Sequence, residues 1–201
     1  MSNINKIKRG LIIVCIVLLI GLVAFILIRN ATNMIIRNQQ EKDYDKIVEN
    51  KKLYKSHTSY DGIFSIKAPS TWSEVKEKKS LNANAVIELK NEIRNAYLVA
   101  VVTNKLDVTD TFEIFKSDVF TQKQTHYGIT ISEYKDVVID GKNAQYIEFY
   151  NTNEDSINTY IRSYAIETEN YYVQIMIWTL KSNENLVQQE FNNIMESFKE
   201  I

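Results

Sequence analysis

The sequence predicts an α+β protein: one transmembrane helix, a polar stalk, and an antiparallel sheet with helices on both faces, an α/β/α sandwich. Three observations predict it. Residues 11–28 are an unbroken apolar run without charge, amide or hydroxyl. From Tyr60 onward, short β-rich runs alternate with turn signals. Two later stretches carry Phe, Val and Ile at the 3.6-residue spacing of a helix that buries one face.

The apolar run, Leu11 to Ile28, is 18 residues long. At 1.5 Å per residue it nearly crosses a hydrocarbon core of about 30 Å. Lys6, Lys8 and Arg9 precede it, and Arg29 and Arg37 follow, with the first acid at Glu41. Cationic flanks stay in the cytoplasm, so the bias is toward an N-terminus inside and a body outside. The expected organisation is a cytoplasmic tail over 1–10, the span over 11–28, a stalk or linker over 29–58 and an extracytoplasmic domain over 59–201. A cleaved signal peptide is the alternative. Its apolar core would be shorter, and Phe25–Ala31 offers no small-x-small cleavage site. Cys15 does not read as a lipidation site, because Ile13 and Val14 stand where small residues are wanted. Beyond the span lie all 25 acids and 21 of the 24 bases, a formal charge of −4. That balance attracts neither nucleic acid nor an anionic lipid surface. Cys15 is the single cysteine, so the exported part has no disulfide framework and no Cys-based zinc site. A domain of this size can stand on its core without such staples.

Residues 30–56 lack Gly and Pro, are mostly polar, and carry no sustained heptad, which predicts a solvated helical stalk. Asp61-Gly62 marks a turn into the strand Ile63–Ala68, which Pro69 ends. Thr71–Lys76, Ala85–Lys90 and Asn95–Thr103 are the next strands. The last of these is apolar on both faces, so it should be central and covered on both sides. Asp110 with Glu113 has the form of a capping box opening a helix. Phe112, Phe115, Val119 and Phe120 lie along its inner face, and the helix should end before Gly128. Ile129–Ile139 and Lys142–Tyr150 flank Asp140-Gly141, a strong type I′ hairpin cue because both central residues need positive φ. Thr159–Ile166 should pair back across the loop Asn151–Asn158. Tyr171–Leu180 is the most apolar strand. Ser182 or Asn183 then caps a closing helix striped by Val187, Phe191, Ile194 and Phe198.

Gly62-Ile-Phe-Ser-Ile-Lys-Ala-Pro-Ser-Thr-Trp72 resembles the opening hairpin of the Mog1/PsbP-like family. Val138-Ile-Asp-Gly-Lys-Asn-Ala144 resembles its central hairpin, and Phe191–Phe198, ending in Ser-Phe, its closing helix. The similarity runs from about Tyr60 to the end. It implies a fold rather than a chemistry, since members include photosystem extrinsic subunits, a nuclear GTPase-binding protein and bacterial membrane-anchored proteins. Carrying an anchor rather than a chloroplast transit peptide, the chain resembles the anchored bacterial group. Its Ile, Lys and Asn content suggests an AT-rich genome.

The usual catalytic signatures are missing. His57 and His126 have no ligand-spaced partner, and the sequence holds no Gly-x-Ser-x-Gly elbow, Walker loop or dinucleotide-binding glycine pattern. Asn151, Asn153 and Asp155 alternate oxygens as a calcium loop would, but Ser156 and Arg162 stand where Gly and Glu are required. Asn30-Ala-Thr32 is a formal glycosylation sequon beside the membrane. No catalytic, metal or cofactor residue is assigned. Tyr146 and Tyr150 share a face of one strand, and Tyr160 and Tyr164 a face of the next, with Arg162 between them. Paired strands would make these a cross-strand aromatic ladder, either packed beneath a helix with hydroxyls at the rim or partly exposed to a partner. The expected function is a non-catalytic, membrane-anchored binding or assembly module, without a cofactor, whose partner is a protein or cell-envelope component. A secreted ligand binder and an envelope hydrolase are the alternatives.

Overall fold

The computed structural model describes residues 2–127, 133–152 and 156–201. The chain divides into two units, Met1–Glu49 and Asn50–Ile201. The first is one helix, α1 (Ser2–Glu49), which contains the apolar run and continues through most of the expected stalk without a Gly or Pro after Leu22 to stop it. Among the described residues no helix is long and apolar enough to cross a membrane. Side chains are described only from residue 22 onward, so residues 11–21 of the run, with Cys15, lie outside that description.

The second unit is α+β, and all its strand pairs are antiparallel. Among the described residues it has two sheets rather than the single sheet expected. The smaller joins β1 (Tyr54–Thr58), β2 (Phe64–Pro69) and β10 (Lys199–Glu200) in the order β1-β2-β10. Residues 54–58, which the sequence reading gives to the stalk, thus form an edge strand. Their polar alternation hid it, because only His57 turns inward to the core. The β1–β2 turn follows its residues: Ser59 Oγ accepts from the Phe64 amide at 2.9 Å, and Gly62 takes φ 78°. Phe64, Ile66 and Ala68 turn alternate side chains into the core.

The larger sheet runs β3-β4-β5-β9-β8-β7-β6, from β3 (Ser73–Glu74), β4 (Ala85–Asn91) and β5 (Ala96–Asn104) to β6 (Lys135–Ile139), β7 (Lys142–Thr152), β8 (Asn158–Glu167) and β9 (Tyr171–Leu180). The most apolar strand, β9, is the middle one, as its two greasy faces require. The run Thr71–Lys76 contributes only two paired residues, because Trp72 drops into the core instead of continuing the ladder. Asp140 and Gly141 take φ 51° and 73°, the positive values a type I′ turn needs, and set the β6–β7 register. The start of the expected strand over 129–139 falls in 128–132, outside the described residues, as do Asn153 and Asp155 of the calcium-like loop.

Each helix covers a different face. In α3 (Glu184–Glu196), Val187, Phe191, Ile194 and Met195 pack with Ile175, Ile177, Leu98 and Tyr164. Phe198, just past the helix, stacks on Phe64 at 5.5 Å. In α2 (Phe112–Tyr127), Val119 and Phe120 pack with Ile147, Phe149, Ile161 and Ala165. Along β7 and β8 these are the alternate residues to those under α3, so the two cores lie on opposite sides of the sheet. Each large apolar side chain so buried contributes about 1.5–3 kcal/mol. The caps differ from expectation by a residue or a role. Thr111, not Asp110, accepts from the Ile114 amide, while the Asp110 carbonyl accepts from Tyr172. Asn183 precedes α3 but donates its amide to the Arg94 carbonyl at 2.8 Å and makes no cap hydrogen bond.

Candidate functional site

Strands β7 and β8 pair Tyr146 with Tyr164, Glu148 with Arg162, and Tyr150 with Tyr160. The aromatic ladder therefore forms in the expected register, with Tyr146 stacked on Tyr164 at 4.9 Å and Tyr150 tilted against Tyr160 at 5.8 Å. The partner-facing reading of it fails for three residues. Tyr160 is 1% exposed, Tyr164 2% and Arg162 3%, because α3 lies over this face of the sheet. Tyr146 is half-buried, and only Tyr150, at 45%, stays at the surface. Its hydroxyl donates to Glu184 at 2.9 Å, and the Lys181 ammonium lies 4.4 Å from its ring.

Arg162 instead ties the sheet to the helix. Its Nε donates to Glu148 at 2.6 Å and to the Tyr160 hydroxyl at 2.7 Å. Its Nη1 donates to Asn192 at 2.7 Å and its Nη2 to Gln188, two α3 residues four apart and so on one helix face. The guanidinium carbon lies 5.7 Å from the rings of Tyr146 and Tyr160 and 5.9 Å from that of Phe191. Glu148 also accepts from the Tyr160 hydroxyl and, at 2.5 Å, from Lys135 on β6. Burial alone would push the Glu148 carboxyl up. The bonds from Lys135 and Tyr160 and the charge of Arg162 outweigh it and hold the group below the usual carboxylate range. Burial and the bond to Glu148 push the Tyr160 phenol well above its ordinary value, so it acts here as a donor. This is an internally bonded network of one carboxylate and two cations, and sequence reasoning missed Glu148 because its partners lie on two other strands, β6 and β8.

The histidines stand apart. His57 is buried on β1, with Nδ1 3.9 Å from Glu74, and burial pushes its imidazole below 6.5. His126 is exposed at the end of α2, its ring 4.6 Å from that of Tyr127. Among the described residues no cluster of His, Cys, Asp or Glu is placed to hold a metal ion. Two further buried carboxylates serve structure. Glu190 accepts from the Trp72 indole. Glu88 accepts from the amides of Lys79, Leu81 and Asn82 and from the Tyr60 hydroxyl, whose phenol is pushed up to about 12 by burial and then by Glu88.

The described residues line at least three concave regions. An open groove of about 710 Å³ lies between the start of α2 and the β6–β7 hairpin. A cleft of about 490 Å³ lies beside β3 and the end of β4, and one of about 280 Å³ lies between β6 and α3. None of the three is lined by a histidine.

Two sheets of antiparallel strands, with the larger sheet between two helices, define a Mog1/PsbP-like fold. That fold is shared with the cyanobacterial PsbP (CyanoP) of Synechocystis sp. PCC 6803, at TM-score 0.53 and 12% identity, covering 74% of this chain and 92% of that one. A protein of Bacteroides thetaiotaomicron VPI-5482 matches at TM-score 0.51 and 13% identity, over 74% of this chain and 49% of that one. The Ran-binding protein Mog1p of Saccharomyces cerevisiae aligns at TM-score 0.49 and 12% identity, over 73% and 94%. No family model and no curated protein matches the chain.

Proposed function

We propose that this chain is a non-catalytic binding or assembly module, held at a membrane by residues 11–28, with its N-terminus in the cytoplasm and Asn50–Ile201 outside. One observation carries the non-catalytic reading. The buried polar cluster around Arg162 and Glu148 is internally bonded and spent on holding α3 to the sheet. A catalytic constellation keeps such groups facing a substrate within hydrogen-bond reach. The anchor is supported by the uncharged run lying inside one continuous helix. It is also supported by Leu22, Val23 and Phe25–Ile28, large apolar side chains that the protein leaves exposed. Exposed apolar surface of that extent marks a lipid or protein interface.

The test uses the full-length chain in the cells that make it. The chain should stay in the membrane pellet after alkaline extraction, and protease added outside should remove the body. Crosslinking in the same membranes should capture an envelope component. Recovery of the full-length chain from the cytosol would sink the anchored reading. Hydrolase activity abolished by replacing His57 or His126 would sink the non-catalytic one.

A further inference from the structure

Strand β1 is lightly held. It is the outer strand of the smaller sheet, and among the described residues it pairs with β2 alone, over Tyr54–Thr58. Lys55, Ser56 and Thr58 face solvent, and Tyr54 is half-buried, its hydroxyl accepting from Asn193 at 3.2 Å. His57, 7% exposed, is the one buried side chain of the strand. Its placement suits only the neutral ring. Nε2 is buried with no hydrogen-bond partner among the described residues. Nδ1 lies 3.9 Å from the Glu74 carboxylate, beyond hydrogen-bond reach. A neutral imidazole with its proton on Nδ1 leaves Nε2 as a bare acceptor. The charged ring carries N–H on both nitrogens, so it would bury a cation and an unsatisfied donor together. Little compensates that charge. From β2 the residue in register is Ile66, and the charges that act on the ring are Glu74 on β3, which favours the proton, and Lys55 on β1, which opposes it.

We propose that β1 is an acid-released clasp: protonation of His57 frees Tyr54–Thr58 from β2 and turns the strand into linker. The ring takes its proton at least cost in the open strand, where water solvates both nitrogens. Burial holds the folded imidazole below 6.5, so the open strand binds the proton first and acid favours opening. The opening is local. An edge strand of five residues gives up few contacts, whereas β9 is bonded to a neighbour on each side. The Leu53 carbonyl, which accepts from the Ser70 amide at 3.0 Å, is let go with the strand. Release then adds Asn50–Thr58, nine residues and at most about 30 Å of chain, to the connection between α1 and the body.

The test is hydrogen exchange of the full-length chain in detergent micelles, read by mass spectrometry between pH 7.5 and 5 and corrected for the intrinsic pH dependence of exchange. Opening over Tyr54–Thr58 should rise by about three- to thirtyfold across that range, while Tyr171–Leu180 keeps its protection. His57→Gln and His57→Phe, which cannot take the proton, should each flatten the rise. Glu74→Gln removes the carboxylate that favours the buried cation and should steepen it. Circular dichroism of each variant at pH 7.5 shows that it is folded. Opening of β1 that does not change with pH, or a rise that persists in a folded His57 variant, overturns the proposal. A rise of equal size over Tyr171–Leu180 is global unfolding and overturns it too. So does a Glu74→Gln profile no steeper than the parent's, and that profile decides should neither His57 variant fold.

Discussion

Replacing Arg162 should loosen α3 from the sheet, and the structure sets the scale. Arg162→Ala removes the donors to Glu148, Tyr160, Asn192 and Gln188 at a position 3% exposed. Breaking a fully buried pair costs about 3–5 kcal/mol, most of it the penalty of leaving the other charge stranded. Glu148 is not fully stranded. Its side chain is 22% exposed and it keeps Lys135 at 2.5 Å. The expected loss is therefore lower, about 2–4 kcal/mol. For a body of this size each kcal/mol moves the melting temperature by about 2–4 °C, so a fall of about 5–15 °C is expected. Arg162→Lys keeps the charge and loses the planar fork that reaches Gln188 and Asn192 together, and should cost about 1–2 kcal/mol. Trp72 and Trp178 report unfolding by fluorescence in urea. A cycle with Glu148→Gln isolates the pair from the lost packing. If Arg162→Ala costs under about 1 kcal/mol, or Arg162→Lys matches the parent, the network does not hold the helix and the argument from it fails.

Two further outcomes follow from buried groups. The His57 imidazole titrates below its ordinary 6.5, chiefly through burial, with Lys55 lowering it further and Glu74 partly offsetting the shift. The unfolded chain therefore binds the proton first. Stability from this residue is complete above 6.5 and drains away as pH falls from 6.5 to the lower folded value. Urea midpoints measured between pH 7.5 and 5 should fall less steeply for His57→Gln than for the parent, and equal slopes would refute the assignment. Glu88→Gln replaces the carboxylate that gathers three loop amides with a group that accepts more weakly, at a cost of about 1–3 kcal/mol. Hydrogen exchange should quicken at Lys79, Leu81 and Asn82 while the β5 amides stay protected, and an unchanged loop would show that Glu88 does not hold it.

Much of this architecture was legible because its determinants are local. The alternation in Ile63–Ala68, the double-faced apolarity of Tyr171–Leu180 and the Asp140-Gly141 turn each act within a few residues, and each element forms where they point. The stripe Val187, Phe191, Ile194 gives α3 and its inner face directly. Other features depend on what arrives from far away. The strand Tyr54–Thr58 looks like stalk because its only signal is a partner strand, and β10 exists only because the C-terminus returns to Phe64 and Ser65. The cap of α2 is Thr111 rather than Asp110, whose carbonyl is bound by Tyr172, 62 residues away.

The candidate site divides along the same line. The sequence by itself determined the β7–β8 ladder, since a side-chain period of two puts Tyr146, Tyr150, Tyr160 and Tyr164 on shared faces once the strands pair. It also determined the uncharged run, the lone cysteine and, β1 and β10 apart, the order of strands and helices. Only the tertiary structure decided which face of the sheet each helix covers. That choice buried Arg162 and Tyr160 beneath α3 and left Asp136, Asn143 and Gln145 open beside α2. Periodicity fixes which side chains share a face. Whether that face meets solvent depends on where a helix far along the chain comes to rest, and that is settled by the burial of the whole core.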